Sequence, residues 1–552
     1  RDLHPRVRRQ RQMCIRDSGY FSALKATVET AFYGNNVQAV TTIAAAYALA
    51  KKAPGVIVTD LPVQHASELG LPEDARVLVA NDGQVVGRTA AARRIIGQPG
   101  VDTAELTKIA REAVFAGTRK SFLSGHVVVG LSADFAVEAH LMVPETYANN
   151  LYTYLLNFQI KTPEATQQYE QSRPLPEDDL YLYADPDWHH PDYPDGLAIF
   201  DPLHNAAIIL GLRYFGELKK GTLTLAWATA HRNGFVACHG GMKQYQRQDG
   251  TFTMAAFGLS GSGKSTITLT SHGDRYPVKV LHDDAFVIDR QTGATTALEP
   301  AYFDKTQDYP MSDPNTRYFL TVQNVGVTLD DHGKKTLVTQ DIRNGNGRTV
   351  KSRYVTPNRV DHLVESVDAI FWIMKDDALP PVVKVEDPSL AAAFGATLAT
   401  KRSTAENVRA DVDREQLVIE PFANPFRSYP LGEDYQDFYD LFQQRGTACY
   451  ILNTGFFQGQ KVKPSDTLDA IAAIVDGTAA FKPFGPLPAM RYLSLPNFAV
   501  DFSNSAYRAL LRQRLDDRLT FLADKATVAD GYDRLPLAAT QALEKVAAAL
   551  VE

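Results

Sequence analysis

Residues 257–266 read FGLSGSGKST, and no other stretch of this chain restricts its fold as much. Gly258, Gly263, Lys264 and Ser265 fit the G-x-x-x-x-G-K-[ST] phosphate-loop pattern. Glycines there let backbone N–H groups cradle phosphate oxygens, the lysine reaches the outer phosphates, and the hydroxyl holds Mg²⁺. The preceding TFTMAAF, residues 251–257, alternates and is rich in β-formers, so a strand is predicted to feed the loop. The loop alone specifies a nucleotide; many chemistries share it, and the acceptor must be named by other residues.

The remaining bounds are broad. A chain of 552 residues is too long for one core and implies about two to four domains. The balance of 57 basic and 64 acidic residues gives −7, which offers no overall attraction to nucleic acid or an anionic membrane. Cys14, Cys238 and Cys449 lie too far apart for a CxxC pair, which excludes a zinc finger or disulfide scaffold and suits a reducing compartment. TIAAAYALA (42–50) is too short to cross a membrane and reads as a packed helix. A cytoplasmic protein is expected. The first 18 residues, RDLHPRVRRQRQMCIRDS, are basic, lack a signal-peptide core and resemble translated adapter read-through; they are set aside as a non-native tail.

Along the chain, strands alternate with helices, which predicts an α/β or α+β protein. HVVVGLSADFAVEAHLMV (126–143) reads as two extended runs around a polar turn. The Pro/Asp-rich segment 173–196 reads as a long irregular loop. Its Asp187, His189 and His190 are taken as ordinary loop residues, because no third ligand accompanies the adjacent histidines. Residues 196–221 contain an apolar helical stretch that ends at Lys219-Lys220-Gly221, an acceptable helix stop.

Three further segments carry chemistry. VKVLHDD is an apolar strand ending in Asp283 and Asp284, and such a pair after a phosphate loop suits Mg²⁺ and its waters. YFGELKKG holds Tyr214, Glu217, Lys219 and Lys220; VACHGG holds His239. In that order, Y-x-G-E-x-K-K, a strand-borne His, G-L-S-G-S-G-K-S-T and D-D closely resemble the ATP-dependent phosphoenolpyruvate carboxykinases. The 19 residues from Lys220 to His239 (239 − 220) match that family's spacing. AIFWIMKDDALPP (369–381) and YILNTGFFQGQKVKPSDTLDAIAAIVDG (450–477) resemble its later segments.

The resemblance implies specific roles. Tyr214 and Lys219 would face oxaloacetate and the departing CO₂, and Lys220, His239 and Asp284 would hold Mn²⁺. Gly258, Leu259, Ser260, Gly261, Ser262, Gly263, Lys264, Ser265 and Thr266 would wrap the triphosphate of ATP, with Ser265 on Mg²⁺ and Asp283 beside it. Arg353 would aim at the transferring phosphoryl group, with Arg348 its rival. Arg88 would clamp the substrate carboxylate, and Lys461 and Thr467 would lie near the adenine. The implied fold is two-lobed: an N-terminal substrate-binding lobe over 19–235 and a C-terminal phosphate-loop lobe over 236–552, with the site in the cleft.

The implied reaction converts oxaloacetate and ATP to phosphoenolpyruvate, ADP and CO₂. A lysine ligates metal only when neutral, and a neighbouring cation together with Lys219 disfavours the ammonium at Lys220. Partners are these small molecules, in a monomer or small homo-oligomer, with no nucleic acid and no membrane. Several residues depart from the family pattern: Ser262 and Ser265 replace threonines, AFVID follows Asp284, GG follows His239, and no T-E-R-G lid is visible around 399–408. A protein kinase/phosphorylase of the HPr-kinase kind and a nucleotide-binding relative without turnover are the alternatives.

Overall fold

A computed structural model describes residues 21–81, 92–259, 261–340, 345–401 and 417–550. The basic tail, Arg88 and Ser260 lie outside the described residues, as does most of the segment examined for a lid. The chain forms a mixed α/β structure of two compact units. The first comprises the described residues through Thr229 together with Leu298–Val355; the second comprises Ala230–Ala297 and the described residues from Thr356 onward. The division falls at 229/230, and 298–355 belongs with the first unit. Strand pairing draws that segment back: Thr321–Gln323 lies parallel to Leu78–Ala80.

The first unit holds an eight-stranded sheet. Its path runs Val37–Val40, Phe122–Val129, Val137–Pro144, Leu180–Asp185, Ala206–Leu210, Leu197–Asp201 and Arg93–Ile95, with Gln159–Ile160 paired beside Phe122–Val129. The two extended runs predicted within 126–143 are its antiparallel pair Phe122–Val129 and Val137–Pro144. Two expectations are corrected. LYLYAD, inside the segment read as an irregular loop, is an internal strand of this sheet. The apolar stretch from 196 is not a helix but the hairpin Leu197–Asp201/Ala206–Leu210, every residue of its two strands buried. A short run covered on both faces loses the two-residue alternation that marks a half-exposed strand.

The helix begins where it was expected to stop. It spans Phe215–Arg232, and Lys219-Lys220-Gly221 lies inside it. Gly221 is a packing residue: an added Cβ would stand 3.0 Å from Ile209 Cδ1 and 3.3 Å from Leu182 Cδ2. A side chain would push the helix off the sheet, so the cost of glycine within a helix is offset by close approach.

The second unit is built on a mixed eight-stranded sheet. Its order is Val278–His282, Gly241–Arg247, Gly250–Phe257, Ala369–Met374, Ala448–Asn453, Val382–Val385, Met490–Leu493 and Phe481–Pro483. Its centre is parallel: Gly250–Phe257, Ala369–Met374 and Ala448–Asn453 run in one direction, and all six residues of Ala369–Met374 are buried. The strand predicted over 251–257 is observed as Gly250–Phe257, and its carboxyl end delivers the glycine-rich loop. A smaller antiparallel sheet, Phe235–His239, Ala285–Asp289, Thr295–Ala297 and His362–Leu363, positions the histidine and the aspartates.

Candidate active site

In the second unit, Phe257 leads into Gly258–Gly263 and then the helix Lys264–Leu269. Gly261 and Gly263 take φ of +78° and +97°, a left-handed backbone that other residues rarely adopt. Gly258 is required for space: its Cβ would lie 2.4 Å from Ser262 Oγ and 2.9 Å from Ile373 Cβ. The Ser262 carbonyl accepts a hydrogen bond from Thr454 Oγ1 at 2.9 Å, which ties the loop to the chain after Ala448–Asn453. Leu259 is buried, Ser265 is half-buried, and Gly261 and Thr266 are exposed.

Strand register brings two of the metal-ligating candidates, His239 and Asp284, together. His239 pairs with Ala285 across the small sheet, and the Gly240 N–H donates to the Asp284 carbonyl. His282, fully buried, holds the turn from Val278–His282 into Ala285–Asp289: its Nδ1 accepts the Asp284 N–H at 3.0 Å and the Ala285 N–H at 3.2 Å. His239 Nε2 then stands 3.0 Å from Asp284 Oδ1, and Lys264 Nζ stands 3.6 Å from the same oxygen. Asp283 is buried beside them in the sequence.

The far side of the imidazole fixes its tautomer. His239 Nδ1 lies 2.5 Å from the carbonyl oxygen of Ala423, so Nδ1 carries the hydrogen and Nε2 presents its lone pair. Phe422 and Ala423 both have φ of +52°, unusual for residues with side chains, and this backbone aims the carbonyl. Phe426 closes edge-on over the ring at 5.4 Å. Nε2 and the Asp284 carboxylate therefore face each other as two acceptors, an arrangement that asks for a proton or a cation between them. The donor set fits a divalent ion.

The residues after His239 and Asp284 now have a physical account. A Cβ on Gly241 would fall 1.9 Å from Thr268 Oγ1, and one on Gly240 would fall 2.8 Å from the Ala256 carbonyl. Gly241 lets the short helix after the loop pack directly on Gly241–Arg247, and Gly240 lets the chain pass close to Ala256 and Phe257. AFVID is the fully buried strand Ala285–Asp289 that holds His239 in register.

The first unit carries the other candidates. Tyr214 precedes the helix Phe215–Arg232, and its ring folds back over Gly216, where a Cβ would lie 2.3 Å from Tyr214 Cε1. That contact explains the glycine of Y-x-G-E. Burial raises the phenol's pKa, and the Arg348 guanidinium beside it opposes the shift. Arg348 is buried and donates to the carbonyls of Gly345 and Gly347 at 3.0 and 2.8 Å. Lys219 is 0 % exposed, with Nζ 2.9 Å from Glu299 Oε1 and 5.4 Å from the Phe303 ring centroid. Glu299, also 0 % exposed, accepts from Asn157 Nδ2 at 2.6 Å through its other oxygen. Lys220 is half-buried, its Nζ 5.8 Å from the Trp227 ring centroid. Arg353 is half-buried in the turn Arg353–Val355.

Sequence reasoning missed Glu299, Asn157 and the Ala423 carbonyl. Glu299 left one signal, an acidic residue within the apolar run TTALEPAYF; a backbone carbonyl leaves none. Arg93, half-buried, donates to Thr224 Oγ1 at 2.9 Å and lies over Phe200 at 4.8 Å. Its burial lowers the guanidinium's pKa while Glu217 opposes the shift. Lys461 is exposed in the strand Gln460–Lys461, and Thr467 is buried on the helix Pro464–Val475. The loop residues Asp187 and His190 engage local partners, Tyr147 and the Asp192 N–H.

A family model described as phosphoenolpyruvate carboxykinase matches residues 65–497. The chain belongs to the phosphoenolpyruvate carboxykinase family. Two curated proteins similar to it are each named phosphoenolpyruvate carboxykinase (ATP). One, from Aeropyrum pernix, is 26% identical over 304 residues, covering 53% of this chain and 60% of that protein. The other, from Eremothecium gossypii, is 23% identical over 465 residues, covering 76% of this chain and 80% of that protein. The match thus spans less than two thirds of the first relative's length and four fifths of the second's. Carboxykinase membership decides between the enzyme families that the phosphate loop left open. Among the described residues no helix is long and apolar enough to cross a membrane.

Proposed function

We propose that this chain is an ATP-dependent phosphoenolpyruvate carboxykinase, converting oxaloacetate and ATP to phosphoenolpyruvate, ADP and CO₂. The observation that carries it is the convergence of His239 Nε2, Asp284 Oδ1 and Lys264 Nζ at the end of the glycine-rich loop, within a chain of this family. His239 and Asp284, with Lys220, would hold Mn²⁺, and Ser265 with Asp283 would attend Mg²⁺ on the nucleotide. When bound, the divalent metal supplies Lewis-acid stabilisation of the enolate that decarboxylation leaves.

The protein's own residues do the rest. Hydrogen bonding of Nδ1 to Ala423 keeps the imidazole in the tautomer whose Nε2 can ligate. The loop glycines and Lys264 bind and orient the triphosphate of ATP, so that phosphoryl transfer is a matter of alignment and charge neutralisation. Arg353, or Arg348 close to Tyr214, supplies positive charge to the phosphoryl group in flight. Tyr214 and Lys219 bind the oxaloacetate end, with Lys219 held by Glu299 and kept from water by burial. Arg88 would take the substrate carboxylate, and Lys461 and Thr467 the adenine side. We assign the protein to the cytoplasm, as a monomer or small homo-oligomer.

The test is an assay of oxaloacetate plus ATP with Mn²⁺ and Mg²⁺, reading phosphoenolpyruvate. Wild type should form it, and His239→Ala and Lys264→Ala should lose about three orders of magnitude or more. ATP hydrolysis without phosphoenolpyruvate would overturn the assignment.

A further inference from the structure

One face of the first unit's large sheet gathers four metal-ligating side chains that the reaction above does not use. His126 and His140 are cross-strand partners in the antiparallel pair Phe122–Val129/Val137–Pro144. Side chains two residues apart share a face of a strand, which sets Glu138 beside His140. The strand Leu180–Asp185 runs alongside with Tyr181 opposite His140, and Asp179 immediately precedes it. One donor atom from each of His126, Glu138, His140 and Asp179 lies within 4.8 Å of the others.

The contacts are specific. His126 Nε2 stands 3.4 Å from a Glu138 carboxylate oxygen, Oε2, and His140 Nε2 stands 2.9 Å from Asp179 Oδ2. The two imidazoles stack at 4.0 Å between centroids, and Tyr181 backs His140 at 4.6 Å. Phe32 meets His140 edge-on at 6.1 Å. Lys161, which follows the short strand Gln159–Ile160, pairs with the other Glu138 oxygen, Oε1, and leaves Oε2 toward His126.

A network of histidines and carboxylates can exist for its own hydrogen bonds, but two features here point to a cation. His126 Nε2 is buried and makes no hydrogen bond of acceptable geometry, although a carboxylate oxygen is near. An enclosed polar atom in that state wants a partner of another kind. Charge points the same way. Glu138 and Asp179 bring two carboxylates against the two stacked imidazoles. For bonds of about 2.0–2.1 Å, a tetrahedral ion sets its ligands roughly 3.3 Å apart. The observed 3.4 and 2.9 Å bracket that spacing.

We propose that His126, Glu138, His140 and Asp179 form a second metal site, one that takes a zinc ion in four-coordinate geometry. Two imidazoles and two carboxylates suit zinc, and four protein ligands leave no open position for substrate. The site is therefore structural: it staples two paired strands to the entrance of a third. Side chains of His126, His140 and Asp179 retain 16–25% exposure, which gives the ion a path in.

The full-length chain tests this in a His239→Ala background, so that metal at the proposed reaction site does not contribute. After chelator treatment, Co²⁺ is titrated as a spectroscopic probe and Zn²⁺ content is measured after equilibrium dialysis. The parent should bind one equivalent, show the intense visible bands of tetrahedral Co²⁺, and melt higher with Zn²⁺. Adding His140→Ala should weaken binding more than about 100-fold, beyond the loss typical of an outer-shell change, and abolish those bands. Asp179→Asn, which keeps the side chain's shape, should do the same while circular dichroism shows a folded protein. Absence of binding in the parent, or equal binding in parent and both variants, would overturn the proposal.

Discussion

His239 Nε2 and Asp284 Oδ1 stand 3.0 Å apart because antiparallel register sets Phe235–His239 beside Ala285–Asp289 and a buried histidine, His282, holds the turn that carries Asp284 into the latter strand. The relationship depends on the Ala423 carbonyl, which holds the proton on the opposite ring nitrogen. His239→Gln is expected to retain bulk and fold but to lose the imidazole lone pair. Mn²⁺ affinity, read by the paramagnetic resonance signal of free ion, should fall at least 100-fold, and phosphoenolpyruvate formation should fall with it. Undiminished Mn²⁺ binding would remove His239 from the ligand set.

Lys219 and Glu299 form a fully buried ion pair. Removing one partner of such a pair strands a charge out of water and costs about 3–5 kcal/mol. Glu299→Gln should therefore destabilise the first unit by about that amount in urea unfolding. The double variant Lys219→Met/Glu299→Gln should recover most of the stability and none of the activity. If the double variant were active, Lys219 would be structural only.

Gly241 has no room for a side chain against Thr268 on the helix that follows the glycine-rich loop. Gly241→Ala should displace that helix and weaken ATP binding by about 10-fold or more, since loop amides must keep their aim at the phosphates. Adding Thr268→Ala removes the nearest atom and should restore part of the affinity. Unchanged affinity of Gly241→Ala for a fluorescent ATP analogue would show that the helix tolerates the shift.

The legible parts of this protein were those in which local chemistry dictates local shape. A strand feeding a glycine-rich phosphate loop follows from residues 251–266, and the aspartate pair follows from its position after an apolar strand. Buried segments were harder to read. AAIIL is buried throughout and LYLYAD at all but Tyr181, so neither shows an apolar/polar alternation, and the glycine of Lys219-Lys220-Gly221 serves packing where a stop was expected. The partners of the site were the least visible. Glu299 meets Lys219 across 80 residues of chain (299 − 219), and Ala423 contributes only its backbone.

Lys243, on the strand beneath the loop's helix, yields a prediction with a definite sign. It is buried, donates to the Thr270 carbonyl at 2.8 Å, and lies 4.5 Å from the Tyr245 ring centroid. Burial lowers its pKa from 10.5 to about 7. The unfolded chain keeps the proton up to the ordinary lysine range, whereas the folded chain releases it near 7. Across that window the unfolded state binds more protons, so stability rises with pH from about 7 to about 10, and the penalty is full below the window. Each unit of displacement corresponds to ~1.4 kcal/mol, so the penalty near neutrality is on the order of a few kcal/mol. His272, joined to Tyr245 at 2.9 Å, is lowered by burial to about 4 and titrates outside this range. Lys243→Met should therefore be more stable than wild type by about 2 kcal/mol at pH 7.5, after loss of the Thr270 hydrogen bond is counted at ~1 kcal/mol. Its advantage should vanish near pH 10, where the unfolded chain begins to release the proton as well and the small remaining penalty is offset by the lost hydrogen bond. Urea unfolding at pH 7.5, 9 and 10 reads the trend; a difference independent of pH would show that this lysine keeps its proton when buried.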